Sequence, residues 1–160
     1  EFNNIAVNPA VVFRNGVYHM IIKGDDPTRK GTRRIQLVCQ SKSVEGPFTF
    51  EKKPVYAERQ TEDACLWFNQ VDKTYNMVCH IMGAPDLAWF TSKNGTDWQR
   101  AAEPVFMKKH IPLSDGTIWT PARVERPFVF TNDKGEPQMI FVAILDKGIT
   151  GNIALKLTKK

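Results

Sequence analysis

The 160-residue chain has the length of one domain, and a hydrophobic content of 42% is enough to form a core. No apolar run reaches the roughly 18 residues that a membrane-spanning segment needs, so we expect no membrane insertion. The net charge is +5, but lysine and arginine are spread along the chain and often adjoin acids, which argues against nucleic-acid binding.

The first unit of the chain has the pattern of four antiparallel strands. Residues 10–14 and 17–23 flank Asn15-Gly16, a dipeptide that accepts the positive φ of a two-residue hairpin turn. Strands are next predicted at 35–41 and 48–56, separated by the turn-rich residues 43–47.

Two further units repeat this plan. The second has predicted strands at 64–68, 74–82, 87–92 and 98–106, and the third at 128–130, 138–145 and 153–157, where an outer strand is missing. Met20, Met77 and Met139 mark the same predicted strand of each unit and are separated by 57 and 62 residues (77 − 20 and 139 − 77). Repeats of this size indicate stacked or radially arranged β units.

The predicted fold is therefore all-β. Four-stranded antiparallel units of this kind are typical of β-propeller blades, here at approximately 5–57, 62–107 and 125–160 of one partial domain that spans 1–160. Three blades do not close a ring, so we expect missing blades from the same or another chain to cover the open edges. A β-sandwich is the alternative fold, but it does not predict the repeat.

In a propeller, the residues just before the first strand of each blade gather around the mouth of the central channel. The residues in question are Asn8, Glu62-Asp63 and Glu125-Arg126. Asp63 and Glu125 are predicted to occupy equivalent positions. Paired carboxylates that face a cavity are the catalytic groups typical of glycoside hydrolysis.

Three other side chains are predicted to lie near this mouth. His80 ends the second strand of its unit and would return to the mouth beside Asp63, and Lys23 holds the matching position in the first unit. Trp119 lies in a long insertion, residues 108–123, and is the best candidate to stack on a sugar ring.

Five segments together resemble the five-bladed β-propeller glycoside hydrolases, a superfamily that includes families 32, 43, 68 and 117. They are residues 8–10, 46–48, 62–67, 92–98 and 125–127. The resemblance implies that Glu125 is the general acid and that Asp63 tunes its pKa and holds the sugar. Members that use histidine as the acid would make His80 or His110 the alternative. Candidates for substrate binding are Asn8, Lys23, Glu62, His80, Trp119 and Arg126.

The resemblance also implies what lies outside the chain. Asn8-Pro9 resembles the opening of a second blade, so the N-terminal blade and its catalytic carboxylate are expected to be absent. No cofactor is expected, and a divalent cation in the channel has no ligand cluster to support it. A secreted or periplasmic location follows from the resemblance alone.

The predicted function is hydrolysis of a small or branched oligosaccharide or polysaccharide by carboxylate acid and base catalysis, although this length of chain need not be active alone. One alternative is a propeller that binds glycans or proteins without catalysis. Another is a glycoside phosphorylase in which cations such as Arg126 or Lys23 hold phosphate.

Overall fold

The computed structural model describes residues 6–26, 28 and 33–158. These residues form thirteen β-strands in four antiparallel sheets and contain no helix, which confirms the all-β prediction. It follows that this part of the chain has no helix long and apolar enough to cross a membrane. The predicted blade limits at residues 5 and 160 lie outside the described residues.

The first two sheets each have four strands in sequence order. We call them blade 1 and blade 2. Blade 1 contains β1 (Ala6–Arg14), β2 (Val17–Asp25), β3 (Arg34–Ser41) and β4 (Thr49–Phe50). Blade 2 contains β5 (Thr61–Asn69), β6 (Thr74–Ile81), β7 (Asp86–Ser92) and β8 (Gln99–Lys108).

Blade 3 has three strands within the described residues, and a short hairpin precedes it. The hairpin is formed by β9 (Ile111–Pro112) and β10 (Ile118–Trp119). Blade 3 contains β11 (Arg123–Thr131), β12 (Pro137–Asp146) and β13 (Ile149–Lys156).

The fourth strand of blade 1 is much shorter than the sequence pattern predicts. The predicted strand at 48–56 is reduced to Thr49–Phe50, although the backbone N–H groups of Glu51 and Val55 still donate to β3 carbonyls at 2.8 and 2.9 Å. Pro54, which lies between these two hydrogen bonds, has no N–H to donate, so the strand does not continue regularly to residue 56.

The blades pack face to face, with blade 2 between the other two. Alternate residues of β6 face opposite ways: Met77 and Cys79 pack against blade 1, whereas Val78 packs against blade 3. All of β6 is therefore buried, as expected for a strand covered on both faces. The three cysteines, Cys39, Cys65 and Cys79, are free and buried.

A buried histidine lies in the seam between blades 1 and 2. His19 is 6% exposed, its Nε2 and the Tyr75 hydroxyl are hydrogen-bonded at 3.0 Å, and its Nδ1 has no partner among the described residues. Burial lowers the pKa of His19 below its ordinary value of 6.5. The folded protein therefore disfavours the charged imidazolium.

We expect this histidine to destabilise the fold on acidification. Because its pKa is lower in the folded than in the unfolded state, the unfolded chain binds the proton first. Stability should fall as pH drops below about 6.5, by at most about 1.4 kcal/mol per pH unit. Urea unfolding at pH 7.5 and 5.5 measures this loss. His19→Gln should reduce it, whereas the exposed His110→Gln should not, and equal slopes in both variants would disprove the assignment.

Candidate active site

The innermost strand of each blade is interrupted at the same place by a β-bulge. The pairing register shifts between Val7 and Ala10 in β1, between Glu62 and Cys65 in β5, and between Glu125 and Phe128 in β11. The first residue inside each shift has a positive φ: 55° at Asn8, 55° at Asp63 and 51° at Arg126. Such values are uncommon outside glycine, and bulges that redirect a side chain are common beside active sites.

The three bulges converge on one cavity of about 410 Å³. Two residues from each bulge line it: Asn8, Pro9, Asp63, Ala64, Arg126 and Pro127. The structure thus brings together three of the candidate residues, although they lie inside the first strands and not before them as predicted. We call this space the central cavity.

The predicted equivalence of Asp63 and Glu125 is wrong by one residue. In the observed register Asp63 corresponds to Arg126, while Glu62 and Glu125 share the position just before the bulge. The predicted methionine repeat is displaced by one residue as well: Met20 and Met77 are equivalent, but their counterpart in blade 3 is Ile140 and not Met139.

A hydrogen bond from blade 1 holds Asp63 in the wall of the central cavity. The Asn8 amide Nδ2 donates a 2.9 Å hydrogen bond to Asp63 Oδ1, and Asp63 is only 9% exposed. The bulges of blades 1 and 2 are thus connected directly. This contact fixes one carboxylate oxygen and leaves Oδ2 for a ligand.

Glu62 lies in an ion-paired cluster between blades 1 and 2. Its Oε1 accepts a hydrogen bond from the Arg34 guanidinium and is 3.8 Å from Lys23 Nζ. Burial opposes ionisation of Glu62, but the hydrogen bond from Arg34 and the charges of Lys23 and Arg34 together hold its pKa below the ordinary value. Glu62 is therefore ionised and joins the two blades.

Glu125 occupies the same position between blades 2 and 3. The Arg123 guanidinium contacts its Oε1 twice, from Nε at 2.8 Å and from a terminal nitrogen at 2.6 Å. His80 Nδ1 is 3.9 Å from that oxygen, too far for a hydrogen bond. All three contacts are on Oε1, so Oε2 is the oxygen that could meet a substrate.

His80 is placed between Glu125 and Lys109. Lys109 Nζ donates to His80 Nε2 at 3.3 Å, which leaves Nδ1 to carry the ring proton and point toward Glu125. Burial, and next the charge of Lys109, lower the pKa of His80. The imidazole is therefore neutral at pH 7. Only tertiary structure brings Lys109 here, so local sequence carried no signal for it.

Two further expectations concern Trp119 and metal binding. Trp119 is half-buried in β10 and its indole N–H donates to Asp146 Oδ2 at 2.8 Å, but it does not line the central cavity. In the described part of the chain, no group of three or more His, Cys, Asp or Glu side chains could hold a metal ion.

Comparison with known proteins places this fold among carbohydrate-active propellers. No family model and no curated protein matches the sequence. Solved structures with similar folds include a protein of the GH130 family of mannoside phosphorylases, which contains glycoside hydrolases that target β-1,2-mannosidic linkages in Candida mannan. It is 17% identical, with a TM-score of 0.57 over 94% of this chain and 49% of that one.

Two more similar structures come from other glycoside hydrolase families. The catalytic domain of the GH62 α-L-arabinofuranosidase of Coprinopsis cinerea is 11% identical, with a TM-score of 0.56 over 94% of this chain and 46% of that one. A GH43 β-xylosidase/α-arabinofuranosidase from a compost metagenome is 13% identical, with a TM-score of 0.57 over 89% and 43%. The chain spans about half the length of the solved structures it matches, and it has the fold of propeller glycoside hydrolases.

Proposed function

We propose that this chain is part of a glycoside hydrolase whose substrate binds in the central cavity. One observation carries the proposal: the bulged inner strands of all three blades direct their polar side chains into a single cavity, with the buried Asp63 in its wall. A carboxylate at the axis of a propeller is placed to contact a sugar that enters along that axis.

Glu125 is the proposed general acid, and it lines a cavity on blade 3 that adjoins the central cavity at Arg126. Its free Oε2 would deliver a proton to the glycosidic oxygen as the bond to the anomeric carbon breaks, and the departing sugar would leave as an alcohol. The neutral His80 adds no positive charge beside Glu125.

Asp63 is the proposed tuning and sugar-binding group. Its Oδ1 is occupied by Asn8, and its Oδ2 can accept a hydrogen bond from a sugar hydroxyl. The third carboxylate of the mechanism, the base or nucleophile, would come from a further blade.

The exposed faces of the outer blades fit such additional blades. On blade 3, Phe128, Phe130 and Phe141 are 60%, 53% and 40% exposed, and on blade 1, Val11 and Phe13 are 47% and 57% exposed. Large apolar side chains at this exposure mark surfaces that normally meet a partner. We propose that further blades of the same polypeptide cover both faces and complete the cavity.

Asp63→Asn tests the role of Asp63 in the complete propeller. The amide can keep the hydrogen-bonded geometry but loses the charge, so we expect kcat for oligosaccharide hydrolysis to fall at least tenfold. Asp97→Asn makes the same chemical change in an exposed turn of blade 2 and should retain full activity. Equal activity of the two variants would remove Asp63 from the mechanism.

A phosphorylase is the second candidate, and the Arg126 guanidinium favours it. Arg126 lines the central cavity and has no ion pair among the described residues, so it could hold phosphate as the attacking group in place of water. Cleavage that requires added phosphate and releases a sugar phosphate would identify this activity.

A further inference from the structure

We infer that the substrate is an acidic saccharide and that Arg126 recognises its anionic group, a carboxylate or a sulfate. This inference rests on the proposed function and specifies the substrate class of the same site.

Arg126 differs from the other two bulge residues in its contacts. Its backbone holds a φ of 51° at the bulge, a conformation that is unfavourable for a long side chain. The same bulge position carries Asn8 in blade 1 and Asp63 in blade 2, and those two bind each other. Arg126 is left without a partner in the ring of three.

The nearby carboxylates do not neutralise Arg126. Glu125, its neighbour in the chain, is occupied by Arg123, and Glu62 is occupied by Arg34 and Lys23. Arg126 is exposed, with no ion pair in the part of the chain that the structure describes. A guanidinium presents paired N–H donors that match a carboxylate or sulfate.

The charge on the cavity wall also favours an anion at Arg126. Of the six described residues that line the central cavity, Asp63 and Arg126 are the charged ones. The Asp63 carboxylate is buried and accepts a hydrogen bond from Asn8, whereas the Arg126 side chain is exposed. An anionic group of a ligand can therefore approach Arg126 from the solvent.

Space for such a group is available on both sides of Arg126. Arg126 also borders a second cavity of about 430 Å³ on blade 3, so it lies where the two cavities meet. That second cavity is also lined by Arg123 and Glu125, which pair with each other, and by residues 143–145 and 150–152, which carry no charge. A sugar ring with its acidic group on Arg126 could occupy either side.

Calorimetric titration of the complete propeller with matched oligosaccharides tests the inference. The probes are trigalacturonate against galactotriose, xylotriose with and without a glucuronic acid branch, and a sulfated against an unsulfated galactan trisaccharide. We expect at least one acidic probe to bind tenfold or more tightly than its neutral partner. This preference should weaken between 50 and 300 mM NaCl, because salt screens exposed charges.

Variants of Arg126 identify the group responsible. Arg126→Gln should remove the preference for the acidic probe, and Arg126→Lys should retain part of it. The control is Arg100→Gln, since Arg100 lies over the Phe90 ring and away from the cavity. A preference for carboxylate over sulfate, or the reverse, would identify the natural anion.

Three results would overturn the inference: equal affinity for acidic and neutral probes, a preference that survives Arg126→Gln, or neutral-sugar binding that requires inorganic phosphate. These outcomes are separable from failure of the proposed function. Hydrolysis of neutral oligosaccharides with no acidic preference would contradict only the inference, whereas tight binding of an acidic probe with no cleavage would contradict only the hydrolase.

Discussion

Glu125→Gln is expected to lower kcat of the complete propeller about 10²–10⁴-fold on natural oligosaccharides, the range that general acid catalysis contributes. Glutamine preserves the shape of the side chain and can still contact Arg123, but it has no proton to give to the glycosidic oxygen. The measurement is release of reducing sugar under substrate saturation.

The leaving group provides a sharper test of the same residue. A nitrophenyl glycoside releases nitrophenolate, a stable anion that needs little protonation as it leaves. The Glu125→Gln defect should therefore be much smaller on that substrate. Glu45→Gln, in an exposed turn of blade 1, is the matched control and should behave as wild type. A defect of equal size on both kinds of substrate would mean that Glu125 is not the acid.

Gly135→Ala is expected to lower the free energy of unfolding by about 2–4 kcal/mol. Overpacking and left-handed backbone strain together cause this loss. Gly135 has a φ of +74° in the hairpin between β11 and β12. A Cβ there would overlap the Phe68 carbonyl oxygen and lie 2.9 Å from Asn69 Cα. Both are backbone atoms of blade 2, so they cannot easily move aside.

The hairpin is also tied to blade 2 by hydrogen bonds. The Gln70 backbone N–H donates to the Lys134 carbonyl at 2.8 Å, and the Gln70 side chain donates to the Asp133 carbonyl at 2.8 Å. Displacing the hairpin would therefore strain the contact between blades 2 and 3.

Gly148→Ala is the matched control for this substitution. Gly148 has a φ of +80° in the next hairpin, but an added Cβ would meet nothing within 4 Å, so only the backbone strain of about 1 kcal/mol remains. Urea unfolding midpoints of the two variants give the difference. Equal losses would show that the close approach of Gly135 to blade 2 does not contribute.

Local sequence chemistry predicted those parts of the fold that depend on near neighbours. The hairpin at Asn15-Gly16 forms with φ values of 51° and 78°, as the dipeptide indicated. The order of strands was likewise readable from apolar runs and turn residues.

Features set by contacts between blades were not readable in the same way. The bulges at Asn8, Asp63 and Arg126 depend on strand pairing, and no local pattern fixes where a register shift occurs. The contacts of Arg34 with Glu62 and of Lys109 with His80 join residues 28 and 29 positions apart. Sequence identified Glu62 and His80 as candidates, but only the packed blades show which cations contact them.

The central claim, that this cavity hydrolyses glycosidic bonds, is tested most directly by product analysis with the complete propeller. The protein would be incubated with neutral and acidic oligosaccharides, with and without inorganic phosphate, and the products separated by chromatography. We predict free reducing sugars at the same rate in both conditions. Binding with no cleavage, or products that appear only with phosphate and carry it, would contradict the claim.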